Sequence, residues 1–379
     1  VLWQLLEALS AAGHAIRLVV PGNSNDVEPT TMHQLLRVCT PHLVSVWPRS
    51  WARSAMSAAV RNRALSVSRH RYSAVQEVIG RLLDSWQPDL VHVEHVHAWA
   101  NCAPLRRSKL PLVLRMPNLE SSLWQQAARA SLSARGRGLE ALRLRADERL
   151  AVRQAAAVVT LTEADAQALR QIARPLHAPK IRCISPAFVA GHTVAPMSAV
   201  ARPTVVIPGN SSGWPGEPSN RWFVEQVWPR LRAQRPDVDI HVYGGEPLRS
   251  TGVHWHAASA QLTDTFAAGA ILAQPALLGS GIDVRILDAW ARSMPVVATP
   301  AAAAGLMVQD GEQLLLAHGA DQFTRAVLRL LDDALLREHL VRGGRAYLHQ
   351  HHDPQTQNQA LLDCYQSLLS NPLSAVAAN

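Results

Sequence analysis

The chain predicts an α/β protein of two domains, each built on a parallel, doubly wound sheet. Three observations carry that expectation. Strand-like and helical segments alternate along both halves, the pattern of parallel strands joined by crossover helices. One complete strand, loop, helix and strand can be read between Ala270 and Leu306. Between Ser185 and Pro203 periodicity gives way to proline, glycine and small residues, which marks a domain boundary. At 379 residues, two domains with proper cores are the default. The expected limits are 1–190, 191–350 and a C-terminal helix within 351–379 that packs back on the first domain.

Taken in order, Leu2–Ala12 has apolar residues at helical spacing and stops at Gly13, before the short strand His14–Val20. A helix over Arg71–Trp86 leads to strand Asp89–Val96, and Leu110–Arg115 is a further buried strand. The arginine-rich stretch Glu120–Gln154 reads as one long helical run ending at strand Ala156–Leu161. Thr162 and Asp165 have the spacing of a helix cap, and Lys180–Ile184 is the last strand of this half. The second half restarts with strand Thr204–Ile207, the glycine-bearing loop Gly209–Gly216, helix Asn220–Gln234 and strand Ile240–Tyr243. Trp222, Phe223, Val227, Trp228 and Leu231 share one helical face and are assigned to the core. Helices follow near Asp321–Asp332 and Ala334–His349.

The segment 270–306 carries the chemistry. An apolar run, Ala270–Ala273, opens into a loop ending in Gly279-Ser280-Gly281; an amphipathic segment, Ile282–Arg292, and a second apolar run, Pro295–Ala298, follow. A helix entered from a glycine loop leaves N–H groups unpaired and points its positive end at an anion, phosphate being the natural one. Ser280 is the expected cap, with Asp283 three residues on. Arg285, Asp288 and Arg292, at i, i+3 and i+7, have an alternative role as a surface ladder of ion pairs.

Composition narrows the rest. With 48% hydrophobic and 17% charged residues the chain is of ordinary globular type. It has no apolar run long enough to span a bilayer and no visible secretion signal. Cys39, Cys102, Cys183 and Cys364 are far apart and form no C-x-x-C, so neither a zinc site nor a disulfide framework is expected. A reducing cytoplasm fits. The net charge of +8 is carried almost wholly by arginine, clustered at Arg53–Arg71 and Arg135–Arg153. Such clusters suit the inner face of an anionic membrane or a polyanionic acceptor, or are solvated helix faces. No helix-turn-helix, zinc or RNP-type signature accompanies the charge, which sets nucleic acid aside.

The order Gly279-Ser280-Gly281, Arg285, Ile286-Leu287-Asp288-Ala289-Trp290-Ala291, Pro295-Val296-Val297-Ala298-Thr299 and Gly305-Leu306 resembles the donor-site segment of glycosyltransferase family 4. Gly209, Asn210, Trp214, Pro218 and Asn220 resemble the entry to its second domain, and Arg115-Met116-Pro117-Asn118-Leu119-Glu120-Ser121 a loop of its first. The resemblance implies the GT-B fold, two Rossmann-like domains facing a cleft, and a retaining transfer from a nucleotide-sugar with no obligatory metal or other cofactor. It implies that Gly281 and Arg285 face the donor diphosphate and Asp288 its ribose, with Gly279 and Ser280 in the same donor-binding turn; Gly209, in a glycine turn after the first strand, and Asn210 are further candidate donor contacts. The chain departs from the family in two places: Asp288 replaces the usual glutamate, and Ser280 stands where the better-known form has a second glutamate. Relatives also place a strand and a glycine loop before the first helix, so the first domain is expected to lack its opening strand, as in a chain truncated at its start.

The C-terminal edge of strand Asp89–Val96 carries His92, His95 and His97, with His95 and His97 expected on one strand face and Glu94 on the other. That is poor geometry for a metal, and none is expected. By resemblance, His95 or His97 donates a hydrogen bond to the donor sugar. The acceptor is a saccharide, lipid-linked or small-molecule hydroxyl. Two rivals stay open: a non-catalytic binding or partner subunit, and a nucleotide-sugar epimerase of the same fold.

Overall fold

The computed structural model describes residues 2–23, 27–47, 50–130, 134–173, 180–188, 203–208, 217–244, 247–248, 250–256 and 270–370. The chain divides into two compact units, Val1–Ala187 with Gln355–Asn379, and Phe188–Pro354.

The first unit holds two parallel sheets. β1 (Arg17–Pro21) pairs with β2 (Thr40–Val44). β3 (Val91–Glu94), β4 (Leu112–Met116), β5 (Ala157–Thr160) and β6 (Lys180–Cys183) lie side by side in that order. Among the described residues no ladder joins the two sheets. β2 has no counterpart in the sequence expectations, since Pro41 within Thr40–Val44 argues against a strand. Leu114 and Val158 face Leu144 and Val152 on one side of the larger sheet. Val113 and Val159 face Leu361 and Tyr365 of the final helix, Pro354–Leu369, on the other.

The stretch Glu120–Gln154 is two helices, Glu120–Arg129 and Ala134–Gln154, rather than one. Gly136 and Gly138 lower helix propensity just where the second begins. That second helix supplies buried carboxylates to helix starts that have no side-chain cap of their own. Glu140 accepts from Leu65 N at 3.0 Å and Ser66 N at 2.8 Å, Asp147 from Ala64 N at 2.8 Å, and Glu148 from Ser121 N at 3.0 Å.

The second unit is one six-stranded parallel sheet. Its strands are β7 (Thr204–Pro208), β8 (Asp239–Tyr243), β9 (Val253–His256), β10 (Ile271–Gln274), β11 (Val296–Ala298) and β12 (Leu315–Leu316). Their order is β12-β11-β10-β7-β8-β9. The chain winds outward from β7 to β9, then returns to β10 on the other side of β7. The β7–β10 junction is therefore the topological switch point, where open sheets bind ligands beyond the strand ends. β9 went unread because its only apolar residues are Val253 and Trp255. The helix expected at Asn220–Gln234 is Glu217–Trp222 and Trp228–Gln234 joined by a π turn, Phe223–Val227. Pro229 lacks the N–H that an uninterrupted α-helix needs, and the wider turn absorbs it. Phe223, Val227, Trp228 and Leu231 are buried as the spacing predicts.

Candidate functional site

At the switch point of the second unit, the helix expected to start at Ile282 runs Val284–Ala291. Its cap is Asp283, not Ser280: Asp283 Oδ1 accepts from Arg285 N at 3.1 Å. Ser280 stands too far back because Gly281, at φ 69°, turns the chain before the helix begins. Arg285 folds back on the same cap. Its Nε donates to Asp283 Oδ1 at 2.7 Å, Nη2 to Oδ2 at 2.8 Å, and Nη1 to Pro208 O, the last residue of β7, at 3.2 Å. Asp283 also accepts from the Gln274 amide at the end of β10. One guanidinium–carboxylate pair thus ties together the ends of the two strands that define the junction. Gln274 Oε1 is buried there without a partner, as is Asn220 Nδ2 at the start of the helical segment after β7.

The glycines have a packing role that the sequence did not disclose. A Cβ on Gly279 would lie 1.8 Å from Ala301 O, and one on Gly305 would lie 1.8 Å from Gly281 O. The glycine turn therefore rests backbone to backbone on the segment after β11. Asp288 pairs with Arg292 at 3.2 Å, while Arg285 is engaged by Asp283, so the ladder contains one pair rather than three residues. Gly209 and Asn210 lie outside the described residues.

In the first unit, β3 ends at Glu94, and His95 adopts φ 76° to start the short helix His95–Trp99. The two histidines therefore do not share a strand face. They stack instead, ring centroids 4.6 Å apart, with His70 4.7 Å beyond His97. His95 Nδ1 accepts from His97 N at 3.4 Å, which places the ring proton on Nε2. That Nε2 sits 3.0 Å from Asn118 Oδ1 and 3.3 Å from Glu120 Oε1, in the loop and helix start after β4. His97 Nε2 is buried with no partner. Between the two histidines, His97 is the one with an unused polar atom.

Electrostatics separate them further. Burial lowers the basicity of His95, but the Glu120 and Asn118 hydrogen bonds and the Glu120 charge outweigh it and raise its pKa. His97 is pushed down to about 3 by burial and by its histidine neighbours, so it is a neutral imidazole. Glu120, despite burial, is held below the usual carboxylate range by His95. His95, His97 and Glu120 bring one ligand atom each within 4.8 Å of one another. Sequence reading placed Glu120 only in a family-like loop; the parallel β3–β4 pairing brings it to His95.

Behind this group, burial raises Glu148 to about 7 against the hydrogen bonds from Ser121. A carboxyl that holds its proton more tightly when folded makes the folded state the greater proton binder between the ordinary carboxylate range and about pH 7. The contribution of Glu148 to stability is therefore expected to fall as pH rises through that window, while that of His97, held neutral in the folded state, runs the other way. Urea unfolding of the wild type at a series of pH values, beside Glu148→Gln, checks this: the stability of the wild type relative to the variant should fall across the window.

Comparison with known proteins follows this geometry. Residues 1–187 match the family model of the glycosyl transferase 4-like domain, and residues 202–333 that of glycosyl transferases group 1. Among solved structures, sucrose-phosphate synthase from Thermosynechococcus elongatus is similar at a TM-score of 0.70 and 18% identity, covering 97% of this chain and 92% of its own. HepE from Anabaena, solved with UDP-glucose, is similar at 0.66 and 14%, covering 97% and 96%. A glycosyltransferase from Rickettsia africae is similar at 0.63 and 10%, covering 97% and 94%. No curated protein matches the sequence. The likeness to the sucrose-phosphate synthase and HepE structures gives this chain the GT-B fold. No helix among the described residues is long and apolar enough to cross a membrane.

Proposed function

The chain belongs to the group 1 glycosyltransferases, and from that premise we propose that it moves a sugar from a nucleotide-sugar to an acceptor hydroxyl with retention at the anomeric carbon. The observation that carries this is Arg285, fixed by Asp283 and Pro208 at the β7–β10 switch point beside the Gly279–Gly281 turn. A departing diphosphate needs donors already in place as negative charge develops, and the guanidinium with the N–H groups of the helix start are such donors. Asp283 neutralises part of that charge, so oriented N–H groups rather than net charge would hold the phosphates. No metal is then required for the transfer. Asp288, paired with Arg292 through Oδ2, is assigned to the ribose. Gly209 and Asn210, outside the described residues, are assigned to the donor by the family resemblance alone.

His95 or His97 is assigned to donate a hydrogen bond to the donor sugar; His97 Nε2 is buried without a partner, and His95, held by Glu120, positions His97 through the stacked rings. No protein base is assigned, because the leaving phosphate can assist attack on the same face. The UDP-glucose complex of HepE supports a nucleoside-diphosphate sugar as donor. The acceptor is a saccharide, lipid-linked or small-molecule hydroxyl, reached in the cytoplasm or at the inner face of its membrane. Incubation with UDP-, GDP- and ADP-sugars and an acceptor panel tests the proposal: released nucleoside diphosphate and a product of unchanged anomeric configuration by NMR support it. The rival reading is a binding subunit without turnover. Donor binding with neither transfer nor hydrolysis would establish that rival instead.

A further inference from the structure

We propose that His95, His97 and Glu120 form a binding site for a divalent transition-metal ion of the zinc class, and that an ion held there blocks the histidine role assigned above. The binding half stands by itself; the blocking half rests on the proposed function.

The donor set is two imidazoles and a carboxylate, the chemistry that selects zinc-like ions over magnesium or calcium. His95 Nε2 and Glu120 Oε1 are 3.3 Å apart, long for a charge-assisted hydrogen bond, which runs to about 2.9 Å. The same separation matches the edge between two ligands of a tetrahedral ion with bonds of about 2.0–2.1 Å. His97 brings a ring nitrogen within 4.8 Å of the ligand atoms of both, and its Nε2 is buried without any partner, a costly state. Occupation moves the His95 proton from Nε2 to Nδ1 and gives up the 3.0 Å hydrogen bond to Asn118 Oδ1 and the 3.4 Å contact from His97 N. Three protein ligands leave a fourth position open. The side chains of His95 and Glu120 keep 23% and 17% of their exposure, so an ion can reach them.

A second histidine group is the natural control. His241 on β8, and His254 and His256 on β9, line one face of the second sheet, His241 opposite His254 in register. Their ligand atoms, unlike those of His95, His97 and Glu120, are not a group of three within 4.8 Å of one another among the described residues.

The test is calorimetric titration of the metal-stripped full chain with zinc chloride, repeated with His97→Ala, Glu120→Gln and His254→Ala. Visible spectra with cobalt report the coordination geometry. The expected result is one tetrahedral ion per chain, bound about tenfold or more weakly by His97→Ala and by Glu120→Gln, and unchanged in His254→Ala. Glu120→Gln keeps the side-chain shape, and circular dichroism melts identify a variant that fails to fold. Absence of zinc binding, binding indifferent to the first two substitutions, or binding lost in His254→Ala overturns the site. Zinc that binds and leaves sugar transfer unchanged overturns the block alone. A metal-free protein that binds zinc but no nucleotide-sugar overturns the proposed function and leaves the ion site standing.

Discussion

Replacing Arg285 with alanine is expected to weaken nucleotide-sugar binding by at least about tenfold, because hydrogen bonds to a charged group are worth roughly 1.5–3 kcal/mol. The loss has two sources. One is the guanidinium itself. The other is Asp283, whose carboxylate, 2.7 Å from Arg285 Nε, would be left facing the phosphates with nothing to neutralise it. The double variant Arg285→Ala with Asp283→Asn separates them: it should recover part of the affinity that the single substitution loses. Arg285 also ties Pro208 at the end of β7 to the helix start, so a thermal melt must accompany each titration. Equal donor affinity in wild type and Arg285→Ala would reduce the arginine to a structural tie.

The second large effect is on stability. Gly305→Ala and Gly279→Ala each force a methyl against a backbone oxygen, that of Gly281 or Ala301, at 1.8 Å. Neither oxygen can swing aside as a side chain would, so a cost of about 1–3 kcal/mol or more is expected. Gly136→Ala is the contrast. It lies in the helix Ala134–Gln154 with nothing near its Cβ position, and should raise stability by roughly 0.5–1 kcal/mol. Urea unfolding followed by tryptophan fluorescence checks all three. Unchanged stability in Gly305→Ala would mean that the turn and the segment after β11 are not in the contact described.

What was legible in the sequence, and what was not, follows from where the information resides. Apolar runs bounded by turn residues located β4, β5, β7 and β10, because a buried parallel strand is continuous in composition. The Ala270–Leu306 unit was legible for the same reason. β2 and β9 were not, since one contains a proline and the other alternates with histidine. The start of the helix Val284–Ala291 was misplaced because a glycine with positive φ intervenes: Gly281 makes Asp283, not Ser280, the cap.

The candidate sites divide in the same way. Arg285 was found from its position after a glycine loop, but its bidentate hold on Asp283 was not, because a two-residue spacing does not ordinarily bring side chains together on a helix. Folding Arg285 back over the cap residue makes that contact. His95 and His97 were found as residues at a strand end, yet their stacking depends on φ 76° at His95. Glu120 is 25 residues beyond His95 and meets it only through the β3–β4 ladder. Local spacing carries no trace of that meeting.

The measurement that bears most directly on the diphosphate site is a calorimetric titration of the full chain with UDP-, GDP- and ADP-glucose in the presence of EDTA. Saturable binding of one of the three, competed by its free nucleoside diphosphate and indifferent to the chelator, is the predicted result. Failure of all three to bind, or binding that EDTA abolishes, would contradict a site in which Arg285 and helix-start N–H groups hold the phosphates.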